Sequence, residues 1–140
     1  MAEELAQLGR RVARRFIIRG IRPKPSDLAK QMGVEVILQD KPPPAQARLR
    51  SEYRADPPRV IVYRHSITQL QAAAHANQRI DMMRCYLTDE HIANELFHHL
   101  EFGGRFGPFS PKEIEEVAHG FTQELCALDF HPTEFSEMVG

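Results

Sequence analysis

Apolar residues recur at helical spacing through the start of the chain. Leu5, Leu8, Val12 and Phe16 fall on one stripe with arginines between them, and Gly20 is a stop, so the pattern predicts a helix over 3–19. Pro23 and Pro25 stiffen the connection. Ser26 is a cap for a short helix over 27–32, which Gly33 ends. The period then shortens towards two. Val34 to Leu38 is β-branched and reads as a strand, residues 41–46 with Pro42, Pro43 and Pro44 read as a loop, and 48–54 alternates through Leu49, Ser51 and Tyr53 as an edge strand would. Pro57-Pro58 is a turn before a central strand, Val60 to Tyr63. These pieces predict a small, mainly antiparallel sheet.

After Tyr63 the helical period returns. Ser66 can cap a helix to about residue 80. Thr88, followed by Asp89 and Glu90 where carboxylates favour the helix dipole, predicts a second helix that runs to Phe102 and stops at Gly103-Gly104. Ser110, Pro111 and Glu113 spell a capping box with proline at the first helical position, the clearest helix start in the chain, for a helix to about Leu128. Helices, then strands, then helices argue for an α+β fold rather than a parallel βαβ array, and 140 residues suit a single domain over 1–140.

The stretch with chemistry in it is His91-Ile-Ala-Asn94-Glu95-Leu-Phe-His98-His99. Zinc peptidases place H-E-x-x-H on a helix, so that histidines at i and i+4 meet one metal and the glutamate between them acts on water. Here Glu95 and His98 are in register, but the first ligand position holds the amide of Asn94, a neutral, hard donor that zinc binds poorly. Glu115 and His119 are i,i+4 on the following helix and can face the same point. His98, Glu115 and His119 would then form a substitute three-ligand set. His91 is a poorer substitute, because seven residues before His98 is about 10.5 Å along the axis. Glu95-x-x-His98 and Glu116-x-x-His119 also match the di-iron bundle motif, but that fold needs two further long helices with carboxylates, which the strand-rich first half does not supply.

Two segments carry a family resemblance. Ala93-Asn94-Glu95-Leu96-Phe97-His98-His99 resembles the A-H-E-L-x-H-x segment of ImmA/IrrE metallopeptidases. Glu115-Glu116-Val117-Ala118-His119-Gly120-Phe121-Thr122 resembles that family's E-x-E-A-N-x-F-A helix, and Leu125-Cys126 falls where the family has a leucine pair. The likeness extends over roughly residues 26–130, though only these two helices carry specific motifs. It implies a zincin-like fold: N-terminal helices, a small sheet, an active-site helix and a following ligand helix. It also implies zinc as the metal, Glu95 as general base, His98 as second metal ligand and Glu115 as carboxylate ligand. Asn94 departs from the pattern at the first ligand, and His119 departs where the family has Asn or Asp. Both departures sit at the metal, so whether zinc binds is left open. Many members of the family act on helix-turn-helix transcriptional regulators, which makes such a protein the implied partner or substrate.

Composition narrows the setting. Cys85 and Cys126 read as reduced thiols, since nothing marks export. No apolar run approaches the roughly 20 residues of a membrane span, and the start carries Glu3 and Glu4 in place of an apolar signal core. A cytoplasmic protein with no membrane partner is the expectation. Residues 1–64 hold 14 Lys/Arg against 7 Asp/Glu, a net +7, whereas residues 65–140 hold 4 against 12, a net −8. Such a split predicts two halves that attract each other, or two surfaces with different roles. The paired arginines Arg10, Arg11, Arg14 and Arg15 read as a solvated helix face, and nucleic acid is not the expected partner. Three readings remain: a peptidase-like enzyme with weak activity, a pseudo-peptidase that binds a protein partner, and a small module whose polar seam only stabilises the fold.

Overall fold

The computed structural model describes residues 2–67, 80–102 and 107–126, with side chains described for 3–67, 88–102 and 107–126. Its elements run helix α1 (Ala2–Arg14), helix α2 (Pro25–Gln31), strand β1 (Glu35–Gln39), a single 3-10 turn (Pro44–Gln46), strands β2 (Ser51–Ala55) and β3 (Pro58–Tyr63), then helices α3 (Ile80–Glu101) and α4 (Pro111–Leu125). Residues 64–67 are helical, so the helix starts ahead of Ser66, which is an interior position rather than the expected cap; the rest of the helix expected to residue 80 lies outside the described residues. The fold is α+β.

The apolar stripe of α1 is as read, but the helix ends at Arg14, and the chain then makes a two-residue turn. Ile18 and Ile21 bridge each other across Arg19 and Gly20, whose φ values are 56° and 77°. Positive φ at both central positions is the hairpin turn that matches strand twist, and Gly20 makes it possible. Helix α2 starts at Pro25 rather than after Ser26. Proline is pre-set for a first helical position, and Lys24 occupies the N-cap without a side-chain bond. Gly33, with φ 74°, ends it as expected.

The sheet corrects the mainly antiparallel expectation. Its order is β1-β3-β2: β2 pairs antiparallel with β3, but β1 pairs parallel with β3, Val36 opposite Val60 and Leu38 opposite Val62. After β1 the chain crosses to the far edge, forms β2, and returns through the turn at Asp56-Pro57 to lay β3 down the middle. Val60 and Val62 are fully buried on the face that meets α3. Ser51 opposes Val62 and Tyr53 opposes Val60. Directly opposed residues share a face, so Ser51 and Tyr53 also point to α3.

Helix α3 is one continuous element through Thr88, so the cap expected there is an interior position. Ile92, Ala93, Leu96 and Phe97 form its buried stripe. Helix α4 begins as the sequence demands: the Ser110 hydroxyl accepts from the Glu113 N–H at 3.2 Å, and the Glu113 carboxylate accepts from the Ser110 N–H at 2.9 Å. Helices α1 and α4 cross almost backbone to backbone. A Cβ on Gly9 would lie 1.9 Å from the Val117 carbonyl oxygen, and one on Gly120 would lie 1.9 Å from that of Ala6. Phe121, on the same helix, packs against Phe97 of α3. Helix α4 is thereby held between α1 and α3.

Candidate functional site

Four side chains fasten α3 to the edge strand β2. The Ser51 hydroxyl donates to Glu95 Oε2 at 2.6 Å, and Tyr53 Oη and His99 Nδ1 share a hydrogen bond of 2.6 Å. The spacing explains the match. Residues i and i+4 of a helix are about 6 Å apart along its axis, and residues i and i+2 of a strand about 6.6 Å apart, so two rungs form side by side. The Tyr53 and His99 rings also meet edge to face. Burial raises the Tyr53 phenol above its ordinary value.

Glu95 is only 8% exposed. Burial pushes its carboxyl above the usual glutamate value. The Ser51 hydrogen bond and the His98 imidazole pull it down, Glu115 and Glu52 push it up again, and the net is upward. A carboxylate made more basic in this way suits proton abstraction.

His98 and Glu115 come together from the two helices, with His98 Nε2 3.5 Å from Glu115 Oε1. Two donors each about 2.0–2.1 Å from a tetrahedral zinc stand roughly 3.3 Å apart, so this pair has the spacing of two ligands on one metal. Glu95 lies near enough to this pair for the charges of both His98 and Glu115 to act on its carboxyl.

One turn along, a pocket of about 100 Å³ opens between the helices, lined by Glu90, His91, Asn94, His119 and Thr122. The order of residues is regular. From His98 to Asn94 to His91 the steps along α3 are four and three, and from Glu115 to His119 to Thr122 they are four and three along α4. The two helices run antiparallel in this register, and a polar seam follows it. Asn94 thus shares its pocket with His119. Among the described residues, no three His, Cys, Asp or Glu side chains converge closely enough to hold a metal ion. The donors fit zinc in part: two have its spacing, and a third is not in place.

His91 lies in the interior of α3 and lines this pocket. Burial raises the carboxyl of Glu90 there, and the buried Thr122 hydroxyl has no hydrogen-bond partner among the described residues. Cys126 is a free thiol pushed up to about 12 by burial, then by Glu90 and Asp89, which removes it as a nucleophile. Glu116 is exposed. Motif reading passes over Ser51, Tyr53, Glu90 and Thr122. The alternation of 48–54 was the available signal for the first two, since it puts Ser51 and Tyr53 on one face. Compared with models of known families, with curated proteins and with solved structures, the chain finds no match.

Proposed function

We propose that this chain is an ImmA/IrrE-like, zincin-type metallopeptidase-fold protein whose metal centre is degenerate, so that peptide-bond hydrolysis is weak or lost. The observation that supports this reading is the His98–Glu115 pair across α3 and α4, with Glu95, held by Ser51 of β2, near enough to feel the charge of both. In this reading His98 and Glu115 are the retained donors, Asn94 is the position where a strong donor is missing, and His119 is the substitute imidazole one turn away. A metal held there would act as a Lewis acid on a peptide carbonyl. Glu95, held by Ser51 and made basic by burial, would accept the proton of the attacking water. The chain is taken to work in the cytoplasm on a protein substrate or partner, with a helix-turn-helix transcriptional regulator as the class the resemblance implies.

Zinc titration of the purified chain tests this. Wild type should bind weakly and lose that binding on His98→Ala. Asn94→His should tighten zinc binding more than tenfold, because it completes a His, His, Glu set beside an existing base. If His119 serves as the third ligand, His119→Ala abolishes zinc binding in wild type but spares it in the Asn94→His protein. Tight stoichiometric zinc that neither His98→Ala nor His119→Ala disturbs would sink the assignment.

A second reading, an inactive pseudo-peptidase that binds a protein partner, rests on β2. Among the described residues this strand pairs only with β3, so its outer edge is available to an extended segment that would run past Ser51 and Tyr53 towards Glu95. Partner capture that persists in chelator and in the Glu95→Gln protein favours this reading. Peptidase activity in wild type that Glu95→Gln removes, with metal retained, excludes it.

A further inference from the structure

The turn that follows α1 presents an unusual surface. Ile18 and Ile21 are 69% and 71% exposed. They are paired across a two-residue turn, Ile18 N–H to Ile21 O at 3.3 Å and Ile21 N–H to Ile18 O at 3.0 Å, so both side chains stand on one face of the hairpin. Arg19 sits at its tip. Residues 5–26 contain seven Lys or Arg and no Asp or Glu. Arg11, Arg15 and Arg19 are exposed and make no ion pair among the described residues. The nearby carboxylate of Glu124 is already covered by Arg14 and Arg22, so it does not offset them.

We infer that this hairpin docks the protein onto an anionic lipid surface, the two isoleucines entering the headgroup boundary and the arginines meeting lipid phosphates and carboxylates. The charge selects an anionic surface. The shape separates a bilayer from a protein: two side chains on a convex tip bury far less than the roughly 1,000 Å² that a stable protein interface needs, whereas a bilayer is bound by a few inserted apolar groups together with diffuse attraction. Near such a surface each basic side chain strengthens binding about fivefold, and each buried isoleucine about tenfold or more. The expectation of no membrane partner came from the lack of a spanning run, which surface docking does not require. This inference is independent of the centre at Glu95.

Sedimentation of the full chain with lipid vesicles tests it. The protein should sediment with vesicles of phosphatidylcholine and phosphatidylserine, remain in solution with phosphatidylcholine alone, and dissociate as salt rises. Ile18→Ser with Ile21→Ser should weaken binding at least tenfold, and Arg15→Ser with Arg19→Ser should do the same. A readout that does not depend on lost binding comes from Ile18→Trp. The chain has no tryptophan, so its emission reports this site alone, and it should shift to the blue when phosphatidylserine vesicles are added. No sedimentation with either vesicle and no shift would overturn the proposal. So would serine-containing vesicle binding that ignores the isoleucine changes, or equal binding to duplex DNA that ignores them, since either would show a response to charge alone.

Discussion

Glu95 combines two properties that pull against each other. A buried carboxylate near Glu52 and Glu115 is costly to ionise, and the Ser51 hydroxyl and His98 recover only part of that cost. Its folded value lies above the ordinary 4.5 of the unfolded chain. The penalty is therefore absent below the ordinary value, grows as pH rises to the folded value, and is constant above that. Glu95→Gln keeps an acceptor for Ser51 and removes the charge. It should raise stability at neutral pH by about 1 kcal/mol, or a thermal midpoint by about 3 °C, and the gain should vanish as pH is lowered towards 4.5. Thermal unfolding of both proteins across a pH series measures this, and a Gln variant less stable than wild type at neutral pH would show that the carboxylate serves the fold. The second residue of note is Asn94. The sequence made its departure from the metal motif plain, and that of His119 as well. That the two line one pocket depended on the register between α3 and α4, which no local pattern records.

At the scale of elements, the α1–α4 crossing is the joint on which the site's second helix depends. Glycine inside a helix ordinarily costs about 1 kcal/mol relative to alanine, so Gly9→Ala and Gly120→Ala would stabilise two independent helices. Here each added methyl group meets a carbonyl oxygen of the facing backbone at 1.9 Å. The helices must separate, and each substitution should instead destabilise the protein by about 3 kcal/mol or more, read as a lowered denaturation midpoint. A stabilised Gly120→Ala protein would mean that the helices do not cross as described. Neither glycine stands out in the sequence, where each is one weak position in a helical stripe. The capping box of α4 was fully legible, because every group in it lies within four residues. The start of α3 was misread: Thr88-Asp89-Glu90 carries cap chemistry, but the helix arrives from upstream and runs through it. The strands were found within a few residues of their bounds, yet the parallel pairing of β1 with β3 was not, because pairing is decided by the path between strands. The same limit hid Ser51 and Tyr53, whose roles follow from the strand and helix lying side by side.

Across the whole molecule, the basic first half and the acidic second half do meet, but at the far end of α4 from the candidate centre. Arg10 donates to the Gln123 side chain at 2.9 Å, Arg14 Nε pairs with Glu124 Oε1 at 2.7 Å, and Arg22 reaches both the Glu124 carbonyl at 2.8 Å and its carboxylate at 3.3 Å. Glu124 is nine residues from Glu115, about 13.5 Å along the axis. The contact thus ties α1 and the turn after it to α4 without touching Glu95 or His98. Burial alone would raise the carboxyl of Glu124, but hydrogen bonds from Arg14 and Arg22, then their charges, outweigh it, and the net is a value below the ordinary 4.5. The sign is opposite to that of Glu95: Glu124 contributes stability that is fully present above 4.5 and is lost as pH falls through the depressed value. Arg14 is well exposed and Arg22 partly so, which limits the contribution to about 1 kcal/mol and makes it sensitive to salt. Glu124→Gln should therefore lower stability by that amount at neutral pH and low salt, and by less in high salt. The difference from wild type should also shrink on acidification. Denaturant unfolding at two salt concentrations and two pH values separates the two carboxylates, because acid should narrow the deficit of Glu124→Gln while it removes the advantage of Glu95→Gln. A deficit in Glu124→Gln that is unchanged by both salt and acid would show that the side chain acts through packing, and that the charge division between the two halves of the chain does not hold them together.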